Sequence, residues 1–205
     1  MTEQIKQELI EYGKLAGSKG YTPGISGNIS SRYGSSFVIT ASGSANGYLE
    51  DKDFSLVDVN GHHIDGNLKP SSERFLHLDF YKKRPDINCV FHMHSPYLTA
   101  FAASGKALEE AISPEIVYCF GKIPLAEYAL PGSEELVNKT SIYFSDYDVV
   151  LLENHGVIVG GSSVRDTYLK LELAEEYAKT LLFAKLLGGA KILPEEEVKK
   201  IYSLK

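Results

Sequence analysis

Two histidines, His92 and His94, close the run Asn88-Cys89-Val90-Phe91-His92-Met93-His94. The run is apolar and reads as a buried strand. Alternate side chains of a strand share a face, so both imidazoles project from one face at its C-terminal end. Paired imidazole nitrogens suit a divalent cation. Met93 points the other way and needs only a core. A third ring comes from far along the chain. Residues 148–153 read as a strand running into Asn154-His155-Gly156, and residues 157–160 as the next strand. His155 therefore stands in a tight turn at an exposed sheet edge, where it can serve as a third zinc ligand.

A carboxylate and two hydroxyls precede the histidine pair, as Ser71-Ser72-Glu73 after Pro70. Ser71 and Ser72 are good N-cap residues, and Glu73 is expected in the first helical turn, where the helix dipole favours negative charge. The helix continues through Phe75, Leu78 and Tyr81 until Arg84-Pro85 stops it. Capping alone accounts for the serines. The functional alternative is a phosphate held by the free N–H groups and both hydroxyls. His77 lies four residues after Glu73 on the same helix face, so a helical metal pair is an alternative to the His92 and His94 pair. Two more small-residue loops, residues 22–32 and Ala41-Ser42-Gly43-Ser44, read either as ordinary turns or as anion loops, with Asn28 as an amide donor.

The elements that must position these groups follow from patterning. Residues 3–18 place Ile5, Leu9, Tyr12 and Ala16 on one face of a helix. Residues 36–40 and 54–59 read as strands, and Asn60-Gly61 as a hairpin turn. His62 and His63 follow that turn on opposite faces, so they belong to a solvated hairpin tip. Ser95-Pro96 opens a short helix. Residues 112–130 read as strand and loop, carrying Glu115, Tyr118, Glu127 and Tyr128. Ser133 caps a helix reaching about Phe144. A long helix runs from Ser163 to Gly188-Gly189, and a charged tail with Tyr202 is helical or frayed.

Composition bounds the class. The chain of 205 residues, 43% hydrophobic and 23% charged, suits one domain with a proper core. A net charge of −6 speaks against non-specific nucleic-acid binding, although local N–H donors can still hold a phosphorylated substrate. No apolar run is long enough for a membrane span, and the N-terminus lacks an apolar signal core, so a cytoplasmic protein is expected. Cys89 and Cys119 are isolated and read as buried free thiols.

Five motifs in register, GNIS (Gly27 to Ser30), ASG (Ala41 to Gly43), KPSSE (Lys69 to Glu73), HMH (His92 to His94) and ENHG (Glu153 to Gly156), make the chain similar to the class II aldolase/adducin family. Within it the chain most resembles the L-fuculose-phosphate aldolases. The resemblance implies a single three-layer α/β/α domain, 1–205, around a mostly antiparallel sheet. It also implies a homotetramer with active sites at subunit interfaces. His92, His94 and His155 match the ligands of Zn2+. Asn28, Ser42, Gly43, Ser71 and Ser72 match the phosphate set. Glu73 matches the acid/base that also approaches the metal when no substrate is bound. The implied reaction is cleavage of a ketose 1-phosphate to dihydroxyacetone phosphate and an aldehyde such as lactaldehyde. Ser113 stands where a proton-donating tyrosine is expected, so Glu115, Tyr118 and Tyr202 become the candidate donors. Ribulose-5-phosphate 4-epimerase, 5-deoxyribulose-1-phosphate or methylthioribulose-1-phosphate aldolase or dehydratase, and a non-catalytic adducin-head assembly module are the alternatives.

Overall fold

The computed structural model describes residues 2–204. Eight strands form one sheet: β1 (Asn28–Tyr33), β2 (Ser36–Thr40), β3 (Phe54–Val57), β4 (His63–Asp65), β5 (Cys89–Met93), β6 (Leu125–Ala126), β7 (Val149–Leu152) and β8 (Gly156–Gly161). Their spatial order is β4-β3-β2-β1-β5-β8-β7-β6, and every pairing is antiparallel except β6 with β7. The helices are α1 (Thr2–Ser18), α2 (Arg74–Lys83), α3 (Pro96–Ala103), α4 (Pro114–Cys119), α5 (Glu134–Ser141), α6 (Val164–Leu186) and α7 (Glu195–Tyr202).

Strand alternation sorts the core into two apolar clusters, one on each face. Cys89, Phe91 and Met93 of β5 join Val157 and Val159 of β8 beneath α1, α3 and α6. Val90 and Ile158 face the other way, toward Leu76 and Phe80 of α2 and Leu136 of α5. The result is the three-layer α/β/α architecture expected from the resemblance. Each fully buried Leu or Phe contributes about 1.5–3 kcal/mol against exposure. The Phe80 and Phe144 rings stack at 4.0 Å between centroids and tie α2 to the chain beyond α5. His92 shares Val90's face, so the imidazoles belong to the α2 side.

Two glycines let neighbouring strands press against the end of β5. A Cβ on Gly27 would strike the His92 carbonyl oxygen, and one on Gly156 would strike the Met93 carbonyl oxygen. Gly27 also has φ +73°, a left-handed conformation that favours glycine.

Three sequence expectations need correction. Residues 112–130 are not strand and loop throughout: they contain α4, because Ser113 accepts the Ile116 N–H and Pro114 occupies the first helical position. The third strand stops at Val57, because the Asp58 carboxylate takes the N–H groups of Asn60 and His62 and turns the chain. Cys89 is buried as expected, but Cys119 is exposed at the end of α4.

Candidate metal centre

All three histidines meet at one end of the sheet. Antiparallel pairing sets the start of β1, the end of β2, the end of β5 and the β7–β8 turn side by side. His92 lies opposite Asn28 in one ladder and opposite Ile158 in the other. The His94 backbone N–H donates to Tyr21 O at 3.1 Å. His155 stands in the β7–β8 turn after Asn154, whose φ of +54° turns the chain left-handed. Contrary to the exposed sheet edge expected from the sequence, the His155 side chain retains only 9% exposure, because Glu73 and the other rings cover it.

The nitrogens fit a divalent cation. His92 Nδ1 lies 3.0 Å from the Val157 carbonyl oxygen, which only accepts, so this nitrogen carries the proton and Nε2 presents its lone pair. His94 Nε2 lies 3.2 Å from His92 Nε2. Glu73 Oε2 lies 3.4 Å from His92 Nε2, and Oε1 lies 3.5 Å from His155 Nε2. Zinc–nitrogen bonds of about 2.0–2.1 Å give a tetrahedron with edges of about 3.3–3.4 Å, which these spacings match. His92, His94 and His155 can each offer a ligand atom, all within 4.8 Å of one another.

Electrostatics keep the rings neutral and the carboxylate charged. Burial lowers the pKa of all three imidazoles, His155 to about 4 with a further push from His92. For Glu73, burial pushes the pKa up. The positive charge that His92 and His155 take up in acid, together with the Asn28 hydrogen bond, outweighs it, so the carboxyl titrates below its ordinary range. Neutral imidazoles and an ionised carboxylate are the states a metal needs.

Glu73 occupies the N-cap position of α2 rather than its first turn, and its side chain caps no N–H group. The carboxylate instead accepts from Asn28 Nδ2 at 2.8 Å, leaving Oε1 buried without a hydrogen bond. The rest of the expected anion set gathers at the same sheet end. Ala41 and Pro70 form a β-bridge, Ser42 N–H donates to Lys69 O at 2.8 Å, and Ser71 N–H donates to Thr40 O at 3.2 Å. Ser71 Oγ accepts the Glu73 N–H at 3.2 Å, Gly43 takes φ +82°, and Ser72 packs beside Gly132. Glu115 and Tyr118 lie on α4 and Tyr202 on α7, which packs on α4. Ile116 of α4 joins the cluster on the α6 side of the sheet, so these candidates occupy the layer opposite the imidazoles of the same chain.

His77 stands outside the cluster of His92, His94 and His155. Its Nδ1 lies 2.8 Å from Ser30 Oγ, which also lies 2.8 Å from the Tyr81 hydroxyl. It belongs to a polar seam that the sequence reading missed: Asn28, Ser30 and Arg32 of β1 against Glu73, His77 and Tyr81. Arg32 completes it by donating to Tyr81 O at 3.2 Å, with its guanidinium over the Tyr81 ring. Two strand residues advance about 6.6 Å and four helical residues about 6 Å, so the two periods stay in step. Polar residues at i, i+2, i+4 on the strand and i, i+4, i+8 on the helix were the available signal.

Residues 7–182 match the family described as the Class II Aldolase and Adducin N-terminal domain. The chain belongs to this family. It is 34% identical, over 98% of its length and 95% of the relative's, to a 5-deoxy-D-ribulose 1-phosphate aldolase of Bacillus thuringiensis serovar kurstaki. It is 36% identical, over 98% of both chains, to a 3-oxo-tetronate 4-phosphate decarboxylase of Haemophilus influenzae. A solved structure of an L-fuculose 1-phosphate aldolase superposes with TM-score 0.91 at 32% identity, covering 98% of this chain and 95% of that one. As a class II aldolase-family enzyme, the chain is a lyase. Among the described residues, no helix is long and apolar enough to cross a membrane.

Proposed function

We propose that this chain is a zinc-dependent aldolase. It cleaves a ketose 1-phosphate reversibly to dihydroxyacetone phosphate and a small aldehyde, with lactaldehyde the reference case. The observation that carries the reading is the convergence of His92, His94 and His155 on one point beside the charged carboxylate of Glu73. Zinc bound there supplies a Lewis acid for the charge that develops on the ketose carbonyl oxygen. The chain's own residues do the rest. Neutral imidazoles leave the ion its full charge. Glu73 takes a proton from the hydroxymethyl carbon of dihydroxyacetone phosphate in condensation and returns it in cleavage. Asn28, Ser42, Gly43, Ser71 and Ser72 hold the phosphate and fix the reacting carbons over Glu73. The proton on the aldehyde-side oxygen passes through Glu115, Tyr118 or Tyr202, supplied across a subunit contact of a homotetramer.

A second reading, decarboxylation of a phosphorylated 3-oxo acid, is favoured by the likeness to the Haemophilus protein along both full lengths. Both reactions break a carbon–carbon bond and leave negative charge beside a carbonyl, so one metal–carboxylate site serves either. A panel of ketose 1-phosphates, ketose 5-phosphates and 3-oxo acid phosphates separates the readings by product. Release of dihydroxyacetone phosphate supports the aldolase. Carbon dioxide supports the decarboxylase, a C4 epimer or loss of water supports the epimerase or dehydratase alternative, and no turnover by the zinc-loaded protein supports an assembly role.

A further inference from the structure

The polar seam beneath the metal centre ends in two complementary orphans. His77 is 1% exposed, and its Nε2 is buried without a partner. Glu73 Oε1, one helical turn away on the same face, is also buried without a hydrogen bond. The hydrogen-bond directions assign the His77 proton. The buried Tyr81 phenol proton needs an acceptor, and Ser30 Oγ, 2.8 Å away, is the one in place. The Ser30 proton then goes to His77 Nδ1, which leaves the ring's own proton on Nε2. A buried N–H donor without an acceptor is costly and is retained where a partner arrives at another stage. The Glu73 carboxylate and the His77 ring already act on each other electrostatically.

With Glu73 Oε2 3.4 Å from His92 Nε2 and Oε1 3.5 Å from His155 Nε2, the carboxylate sits where substrate oxygens must enter. It has to withdraw, and a buried anion cannot withdraw to a place without donors. We propose that His77 is a positioning residue for Glu73, its Nε2–H receiving the carboxylate when substrate displaces it from the metal. The seam explains why the receiver is in place. Ser30 fixes the ring on β1 just as Asn28 fixes the carboxylate, two residues apart on the same strand face. On this proposal Asn28 and His77 are the two stations between which Glu73 turns. The inference rests on the proposed function, because it needs a ligand that competes with Glu73 for the metal.

The test uses zinc-loaded protein labelled with 15N-histidine, titrated with a phosphorylated hydroxamate that mimics the enediolate of dihydroxyacetone phosphate. The expected result is a shift of the His77 Nε2–H resonance on analogue binding. His77→Met should keep its zinc yet bind the analogue about tenfold to a hundredfold more weakly, the cost of an unpaired buried acceptor. His77→Gln, which retains a donor, should recover most of that loss. An unmoved His77 resonance in wild-type protein that binds both zinc and analogue overturns the proposal, and it does so even if His77→Met does not fold. Equal analogue affinity in wild type and His77→Met overturns it as well. Wild-type protein that takes up neither zinc nor analogue overturns the proposed function first, and this inference with it.

Discussion

Two glutamates flank the end of β5, one buried and one largely so, and they are built differently. Glu175 of α6, 3% exposed, accepts Ser95 Oγ at 2.8 Å, Tyr97 N–H at 2.8 Å and Leu98 N–H at 2.9 Å. It meets the orphan donors at the start of α3 and fixes the residue that follows His94. Glu73, on the opposite layer, has the single donor Asn28 and one oxygen with no hydrogen bond. A carboxylate with its acceptor capacity filled holds structure. One held by a single donor among lone pairs has capacity in reserve for a metal or a proton. Burial alone does not separate the two; the count of donors does.

Neutralising each carboxylate should have opposite consequences. Glu73→Gln should lower turnover by about 10²–10⁴-fold, the usual reach of a general base, with stability close to wild type. Steady-state rates and thermal melts read both quantities. Glu175→Ala should do the reverse. Three donors lose their acceptor, so denaturant titration should show a loss of about 3 kcal/mol or more, while the folded fraction keeps kcat within about threefold. A Glu175 variant that is stable but inactive would erase the distinction.

Acid should act on the histidines of the Glu73 layer. Burial holds His155 at about 4 and His77 at about 3, both below the ordinary 6.5 of the unfolded chain. Below 6.5 the unfolded chain binds protons that the folded chain refuses, so stability is full above pH 6.5. It falls as the pH drops toward 4 and then toward 3. Urea midpoints of the metal-free protein at pH 7, 5.5 and 4.5 should decline in that order. The zinc-loaded protein should decline more steeply, because protons also compete for the ligand nitrogens. The smallest effect is expected at Cys119, exposed and on the other layer. Cys119→Ser should leave zinc content unchanged and stability within about 0.5 kcal/mol.

The site was more legible than its support. His92 and His94 are readable because a strand's period of two leaves no choice of face, and the turn glycine after His155 marks the third ring. The helix after Pro70 was readable from its pattern, although Ser71 and Ser72 do not cap it: the N-cap is Glu73 and α2 opens at Arg74. The position of Glu73 was not readable, because its carboxylate answers to groups from β1, β5 and the β7–β8 turn rather than to its own helix. α4 was missed because six residues are too few for a helical period to show, although Ser113-Pro114 was a usable start signal. Glu175 was invisible: on a long helix a glutamate reads as solvated, and only the approach of α3 buries it. The seam of Asn28, Ser30 and Arg32 against Glu73, His77 and Tyr81 shows in each segment as polar spacing, but pairing them needs the tertiary register.

Hydrogen exchange at the hydroxymethyl carbon of dihydroxyacetone phosphate in deuterated water isolates the role of Glu73, since it needs the metal centre and Glu73 but no aldehyde. Zinc-loaded protein should take up deuterium at one of the two hydrogens. Uptake should stop on chelation, return when zinc is restored, and be absent in Glu73→Gln that still binds zinc. Exchange that survives chelation, or that proceeds unchanged in Glu73→Gln, would contradict the proposed chemistry.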